Sequence, residues 1–178
     1  MAQHHALFLD VFGTLVEDHG VFEKVESLVF KRHAAQALRR FSARKYLVVL
    51  SVCQPGADPP DGAYLPLLRA HLQGKLVRGG LPAESLMFIA PEGEEAGKQH
   101  QFTAQRLRAF AAAHDIDLHA STVIGDRMSD VRTGKQLGCT TVLLSSTADC
   151  PGFEDTDWVE PHYIVEDMSE AADALLGK

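Results

Sequence analysis

The sequence predicts a three-layer α/β fold with a mainly parallel central sheet. Short apolar runs alternate with longer helical segments along the chain, and several runs end directly at an acidic or hydroxyl residue. Alternation of this kind is typical of right-handed strand-helix-strand crossovers with helices on both faces of the sheet. The 178 residues and the hydrophobic content of 46% suit one core. We therefore expect a single domain over residues 1–178.

Five short apolar runs are predicted strands. Runs of this length without polar alternation are typical of parallel strands that are buried on both faces. The first run ends at Asp10, the second ends at Ser51, and the fourth enters Gly125 and Asp126. In chain order, the predicted strands are residues 6–9, 46–50, 86–89, 122–124 and 141–144.

The segments between these strands carry helical patterns. Apolar residues recur at three-residue steps before the second strand, and an alanine-rich segment precedes the fourth strand. Gly138 is a good breaker after the last of these segments. The predicted helices are residues 32–43, 64–77, 101–114 and 129–137, and residues 162–165 with a terminal helix at 169–176 close the fold. The expected core residues of the first and third helices are Ala35, Leu38, Phe41, Phe102, Leu107 and Phe110.

Polar residues at the strand ends mark the expected site. Ligands bind at the carboxyl ends of the strands in open parallel sheets, so Asp10, Ser51 and Asp126 are expected to meet there. Asp130 follows Asp126 by one helical turn, so both carboxylates can face the same site. The alternative interpretation makes Asp10 a turn residue, Asp126 a helix cap and Ser51 a loop cap.

Charge and composition exclude several classes of partner. The net charge of -7 predicts no nucleic-acid footprint and no attraction to an anionic membrane surface. No apolar run approaches the roughly 20 residues of a transmembrane helix, and the first residues lack the layout of a signal peptide. The three cysteines are odd in number and widely spaced, which favours reduced thiols. We expect a cytoplasmic protein that binds a small molecule.

Two segments resemble motifs of the haloacid dehalogenase (HAD) superfamily. Residues 8–15, Phe-Leu-Asp-Val-Phe-Gly-Thr-Leu, are similar to motif I, and residues 123–130, Val-Ile-Gly-Asp-Arg-Met-Ser-Asp, are similar to motif IV. Between them, in family order, Ser51 fits the hydroxyl residue of motif II and Lys98 fits the lysine of motif III. The layout is similar to the capless histidinol-phosphatase and heptose-bisphosphate-phosphatase group. The resemblance implies a Rossmann-like fold with a minimal cap or none.

The resemblance also implies an Mg²⁺-dependent hydrolase that acts on a small phosphorylated metabolite. In such a site one carboxylate attacks the electrophile, while the metal, a lysine and a hydroxyl neutralise and orient the transferred group. The implied catalytic residues are Asp10, Ser51 and Lys98; the implied metal ligands are Asp10, Phe12 through its backbone carbonyl, Asp126 and Asp130; the implied substrate contacts are Gly13, Thr14 and Arg127.

Phe12 departs from the family pattern. HAD phosphatases usually carry a second Asp at this position, where it protonates the leaving alcohol and then activates water. Phe12 transfers no protons, and the loss of a general acid/base typically costs about 10²–10⁴-fold in rate. The sequence therefore predicts a weak phosphatase unless another group compensates.

Two site residues have alternative interpretations. Lys98 lies in a segment without the Lys-Pro dipeptide of the nearest relatives, so it could be a solvated surface side chain. Arg127 could equally form a surface salt bridge.

Three other functions remain open on the sequence alone. The first is a catalytically impaired protein that binds a phosphorylated ligand or partner. The second is haloacid dehalogenation, because dehalogenases also carry an aromatic residue at the position of Phe12; the short interval between Asp10 and Ser51 leaves little room for their helical cap. The third, a receiver-like phospho-acceptor domain, fits poorly because the second acidic motif falls late in the chain. Substrate identity and homo-oligomer formation are left open.

Overall fold

Six parallel strands form one sheet in the computed structural model, which describes residues 4–18, 24–51, 64–89, 104–145 and 158–177. Their spatial order is β3-β2-β1-β4-β5-β6, so the chain crosses from one half of the sheet to the other between β3 and β4. The strands are β1 (Ala6–Asp10), β2 (Leu47–Ser51), β3 (Leu86–Ile89), β4 (Thr122–Gly125), β5 (Thr140–Leu144) and β6 (Tyr163–Val165).

Five α-helices flank the sheet. They are α1 (Ala34–Ala43), α2 (Tyr64–Arg78), α3 (Ala104–Ala113), α4 (Met128–Leu137) and α5 (Met168–Leu176). Each predicted strand and helix is present, and the described ends differ from the predicted ones by at most two residues. Residues 101–103 of the third predicted helix lie outside the described residues. The predicted α/β fold with a parallel central sheet is therefore confirmed.

Strand β1 shows how the two faces of the sheet are filled. Leu7 and Leu9 point into one apolar cluster, whereas Ala6 and Phe8 point into the other. This alternation follows from the pleat, which sends successive side chains to opposite faces. The first cluster packs against α1, α2 and α5, and the second against α3 and α4. The central strands are therefore buried on both sides.

The core of the helices differs in detail from the prediction. Leu38, Phe41 and Leu107 are buried as expected, but Ala35 and Phe110 are only partly buried, and Phe102 lies outside the described residues. A step of three residues drifts around a helix that has 3.6 residues per turn, so Ala35 falls at the edge of the apolar face. The buried face of α1 comprises Ala34, Ala37, Leu38, Phe41 and Ser42.

The chain after β1 folds back on itself before it enters α1. Gly13 N donates to Val16 O at 2.9 Å, Val16 pairs with Phe30, and Lys31 N donates to Leu15 O at 3.0 Å. We call residues 13–18 and 24–31 the return segment. The return segment contains a short 3-10 helix (Val25–Ser27), and α1 follows it.

Other expectations concern the membrane and the thiols. Among the helices in the described parts of the chain, none is both long and apolar enough to cross a membrane. Cys139 is a buried free thiol, and burial, followed by the negative charge of Asp117, raises its pKa to about 12. Cys53 and Cys150 lie outside the described residues.

Candidate active site

Parallel register brings the ends of three strands to one edge of the sheet. Asp10 lies opposite Ser51 in the β1-β2 pair, and Leu9 lies opposite Ile124 in the β1-β4 pair. Gly125, the last residue of β4, therefore stands next to Asp10, and Asp126 follows it. Asp10 and Ser51 are both buried. The residues expected at the carboxyl edge are thus neighbours in the fold.

Two glycines allow the acidic groups to approach the backbone closely. A Cβ atom at Gly13 would overlap the carboxylate of Asp126, and one at Gly125 would overlap the carboxylate of Asp130. Gly13 also has φ +79°, a conformation that other residues rarely adopt. Gly13 therefore lets the loop after β1 pack against the loop after β4, and Gly125 lets the first turn of α4 pack against the end of β4.

The pKa values of Asp10, Asp126 and Asp130 are all raised at this edge of the sheet. Burial raises the pKa of Asp10 well above its usual value, and the charges of Asp130 and then Asp126 raise it further. Burial, followed by the charge of Asp126, raises the pKa of Asp130 to about 7. Burial also raises the pKa of Asp126, although the positive charges of Arg127 and Lys31 oppose this shift. Like charges collected in a buried place favour a cation or a proton among them.

The donor set fits a divalent cation. Oδ1 of Asp126 is buried and has no hydrogen-bond partner among the described residues, which leaves it available to a metal. Val11 N donates to Oδ1 of Asp10 at 2.8 Å, so the other oxygen of Asp10 can be used elsewhere. Mg²⁺ takes hard oxygen ligands and commonly keeps several waters beside one or two protein carboxylates. Asp10 and Asp126 suit such a site.

Asp130 has a structural role at the same place. Its Oδ2 accepts a hydrogen bond from Arg127 N at 3.3 Å, at the start of α4. Among the described residues, no group of three or more His, Cys, Asp or Glu side chains is arranged as a complete metal cluster. Asp130 as a direct metal ligand therefore stays a prediction, and the geometry favours Asp10 and Asp126 as the protein carboxylates.

Phe12 occupies the place expected for an acid/base residue. Its side chain is 7% exposed and belongs to the larger apolar cluster. It therefore contributes to the core and brings no proton donor to the carboxylates. Its backbone carbonyl as a metal ligand remains a prediction.

The predicted substrate contacts have different environments. Thr14 is fully buried, and its hydroxyl has no hydrogen-bond partner among the described residues. Arg127 Nη2 lies 3.1 Å from Oδ2 of Asp18, so the salt bridge that was the alternative interpretation is present. Gly13 is packed against Asp126. Lys98 falls outside the described residues.

Two charged residues of this region were missed by the sequence analysis. Lys31 and Asp18 both influence the pKa of Asp126, the first by lowering it and the second by raising it. Both belong to the return segment, which hydrogen bonds and a bridge fold back beside β1. Neither sits in a motif or after an apolar run, so no local sequence signal distinguished them from surface charges.

The sequence is similar to a HAD-like family and to phosphatases from two bacteria. Residues 96–171 match the Hydrolase_like family, which is described as HAD-hydrolase-like. A D-glycero-D-manno-heptose-1,7-bisphosphate 7-phosphatase of Thermosynechococcus vestitus is 28% identical over 94% of this chain and 93% of that protein. A D-glycero-alpha-D-manno-heptose-1,7-bisphosphate 7-phosphatase of Burkholderia mallei is 29% identical over 83% of this chain and 82% of that protein.

A solved structure shows the same architecture. The D,D-heptose 1,7-bisphosphate phosphatase from B. bronchiseptica, crystallised with magnesium and phosphate, superimposes with a TM-score of 0.78. The sequence identity is 20%, and the match covers 97% of this chain and 98% of that one. The likeness extends over the whole sheet and its helices, so the two chains share a fold.

Proposed function

Because the chain is a HAD-like protein, we propose that it is an Mg²⁺-dependent phosphatase that hydrolyses a small phosphorylated metabolite through Asp10. The observation that carries the proposal is the convergence of buried Asp10 with Asp126 at the ends of β1 and β4. A buried carboxylate beside a cation site is the arrangement that nucleophilic attack on phosphorus requires.

The chemistry divides among named residues. A carboxylate oxygen of Asp10 attacks phosphorus, and the bond from phosphorus to the sugar oxygen breaks. The sugar oxygen takes a proton from water, and a phosphoryl group is left on Asp10. Water then attacks this phosphorus, and phosphate is released with regeneration of the carboxylate. Ser51 lies beside Asp10 across the β1-β2 pair, where its hydroxyl can orient the phosphoryl oxygens. Lys98 is proposed to add a positive charge.

A metal at this site would be held by Asp10 and Asp126, with the backbone carbonyl of Phe12 as a further proposed ligand. Mg²⁺ would supply neutralisation of charge on the transferred phosphoryl group. The unpartnered Oδ1 of Asp126 and the crowded carboxylates support its presence.

Phosphorylated sugars are the proposed substrates. Two relatives that are 28% and 29% identical over most of this chain are named as heptose-1,7-bisphosphate 7-phosphatases. We take heptose 1,7-bisphosphate as the first candidate and heptose 7-phosphate as its matched monophosphate. The proposed compartment is the cytoplasm.

A second candidate function rests on Phe12. Since this side chain is buried in the core, the leaving oxygen receives no proton from the position that HAD phosphatases use. The protein could then retain the pocket and bind a phosphorylated ligand without turnover. This alternative predicts binding of heptose 1,7-bisphosphate with no release of phosphate.

The test compares hydrolysis with binding in one preparation. Purified protein with Mg²⁺ is expected to release phosphate from heptose 1,7-bisphosphate or from another member of a phosphomonoester panel. EDTA or Asp10→Asn should abolish the release. Tight binding without release would favour the second candidate. If neither hydrolysis nor binding of the phosphate mimic beryllofluoride is seen, both candidates are wrong.

A further inference from the structure

A cavity of about 590 Å³ lies at the amino edge of the sheet, where the strands begin. It is lined by α3, by the loop between α3 and β4, and by the end of α4. Backbone hydrogen bonds hold this loop beside the start of β1, because His4 N donates to Asp115 O at 2.9 Å and Asp117 N donates to His4 O at 2.7 Å. Helix α4 begins beside the carboxylates and has 10 residues, so its length of about 15 Å separates the cavity from the candidate active site.

Two positive charges from different helices line this cavity. Arg108 belongs to α3, and Lys135 lies in the last turn of α4. Both side chains are exposed, and neither forms an ion pair with another of the described residues. Guanidinium and ammonium groups donate charge-assisted hydrogen bonds to phosphate oxygens. In a protein with a net charge of -7, this pair of cations at a concave place favours an anionic ligand.

An acid in the same cavity is fixed by its own loop. Oδ1 of Asp117 accepts hydrogen bonds from His119 N at 2.9 Å and from Ala120 N at 3.3 Å. A carboxylate has two acceptor oxygens, so Oδ2 can accept hydrogen bonds from the hydroxyl groups of a ligand. Acidic side chains bind the ribose hydroxyls of nucleotides in this way. The ligand is therefore expected to carry hydroxyl groups as well as negative charge.

The remaining lining offers a surface for a planar ring. A Cβ atom at Gly138 would lie 2.6 Å from Cε1 and Nδ1 of His119, so the imidazole packs directly against the backbone there. Ile116 and Leu137 are buried, Leu118 is partly buried, and all three line the cavity. Nucleic-acid bases stack on imidazole and other aromatic rings. An exposed imidazole beside apolar side chains suits such a base.

We propose that this cavity binds a nucleotide. The phosphate is held by Arg108 and Lys135, the ribose hydroxyls bond to Asp117, and the base lies against His119. The cavity volume falls within the range of about 300–1,000 Å³ that is usual for small-molecule sites. Since Asp10 lies at the opposite edge of the sheet, the inference is independent of the proposed phosphatase function.

The experiment compares one nucleotide with its two fragments. Isothermal titration of the native protein with AMP, adenosine and ribose 5-phosphate is carried out in EDTA, so that no divalent cation links a phosphate to the carboxylates. AMP should bind at least about tenfold more tightly than either fragment, because each fragment lacks one group of contacts. Equal binding of AMP and adenosine, equal binding of AMP and ribose 5-phosphate, or no binding of AMP would overturn the proposal.

Variants of the two cations identify the site that AMP occupies. Arg108→Gln and Lys135→Gln should each weaken AMP binding by roughly tenfold, the usual effect of losing a hydrogen bond to a charged group. Lys75→Gln is the matched control, because Lys75 is exposed, lies in the last turn of α2 and does not line this cavity. It should leave AMP binding unchanged. An equal loss in Lys75→Gln would show that long-range charge rather than a site binds AMP, and the proposal would be wrong.

Two further measurements separate this cavity from the carboxylate site. Asp126→Asn should bind AMP like the native protein, and circular dichroism should show native folding for every variant. Hydrogen exchange of the native protein needs no substitution, and AMP should slow exchange of the amides in residues 116–120 and 135–139. Slower exchange in residues 10–16 alone, or altered AMP binding by Asp126→Asn, would place the nucleotide at the carboxyl edge and refute the inference.

Discussion

Single residues set the chemistry that this site can perform, and Phe12 is the most consequential. The position that holds an acid in related phosphatases is filled by a side chain that is 7% exposed and packed into the core. Asp10 and Asp126 nevertheless converge, so the proposed nucleophile and metal site lack a proton donor at this position. This combination explains why slow hydrolysis and binding without turnover both remain candidates.

Phe12→Asp is expected to raise kcat and to lower stability. A carboxylic acid at this position can protonate the leaving oxygen, and general acid/base catalysis typically contributes about 10²–10⁴-fold. Removal of the buried ring leaves a cavity and buries a carboxyl group, which should cost roughly 3–5 kcal/mol. Phosphate release and urea denaturation measure the two effects.

Phe12→Leu is the control for this substitution. This substitution replaces the ring with a smaller aliphatic side chain and adds no acid. The variant protein should therefore be less stable than the native protein, with no increase in kcat. A similar rise in kcat in both variants would show that loosening of the core, rather than proton transfer, limits the native protein. Unchanged kcat in a folded Phe12→Asp protein would mean that another group already supplies the proton.

At the scale of elements, α4 packs unusually closely on the sheet. A Cβ atom at Gly134 would lie 2.5 Å from Cγ2 of Thr141 and 3.1 Å from Cβ of Val123. The glycine therefore lets α4 approach β4 and β5, and this places the start of α4, with Asp130, against Gly125. The position of the loop after β4 therefore depends on the contact of Gly134 with the sheet.

Gly134→Ala is expected to destabilise the protein, against the usual trend for helices. Alanine is favoured over glycine inside a helix by about 0.8–1.0 kcal/mol, but overpacking typically costs about 1–3 kcal/mol. Here the overlap involves side-chain carbons of the sheet, which have little room to move. The cost of overpacking should therefore exceed the gain in helix propensity. Urea denaturation measures the difference.

Gly74→Ala provides the matched comparison inside α2. A Cβ atom there meets first the guanidinium of Arg78, at 3.2 Å, the far end of a flexible side chain. The substitution should therefore stabilise the protein by about 0.5–1 kcal/mol. Stabilisation by both alanines would show that α4 does not depend on close contact at Gly134.

His162 links strand β6 to β5, and this link depends on the protonation state of its ring. Thr141 N donates to Nδ1 of His162 at 3.0 Å, and His162 N donates to Thr141 O at 3.0 Å. Burial, followed by the charge of Lys135, lowers the pKa of His162. Protonated Nδ1 cannot accept a hydrogen bond, so this link requires the neutral ring.

The β5-β6 link should weaken at acidic pH. Because the pKa of His162 is lower in the folded than in the unfolded protein, its contribution is present above about pH 6.5 and is lost as the pH falls through the folded value. Hydrogen exchange of the Thr141 amide, corrected for intrinsic rates, should show less protection at pH 5 than at pH 7.5. His162→Gln should remove this difference; equal protection of the native protein at both values contradicts the expectation.

At the scale of the whole molecule, the carboxyl edge joins parts of the chain that are far apart in sequence. The return segment, β1 and the loop after β4 meet there, and Asp18 and Arg127 link two of them at 3.1 Å. Crowded buried carboxylates oppose this assembly, since the charge of Asp126 raises the pKa of both Asp10 and Asp130. A bound cation would reverse that effect and stabilise the fold.

Removal of the metal should lower the melting temperature. A ligand that binds only the folded state at ten times its Kd contributes about 1.4 kcal/mol, which corresponds to roughly 3–6 °C for a chain of this size. Mg²⁺ should therefore raise the melting temperature above that in EDTA. Asp126→Asn should melt higher than the native protein in EDTA and lose the response to Mg²⁺.

Glu84→Gln, at an exposed position before β3, serves as the control and should respond to Mg²⁺ like the native protein. Differential scanning fluorimetry over a range of Mg²⁺ concentrations makes the measurement. A response that survives in Asp126→Asn would place the cation elsewhere.

The sequence by itself determined the alternation of strands and helices and the positions of Asp10, Ser51 and Asp126 at strand ends. These features follow from hydrophobic periodicity and turn residues, which are local. Only the tertiary structure decided that Lys31 and Asp18 lie at the carboxyl edge and that Thr14 lines a cavity. The reason is physical. The hydrogen bond from Lys31 N to Leu15 O and the pairing of Val16 with Phe30 join residues that are about 15 positions apart, and no local pattern encodes such pairing.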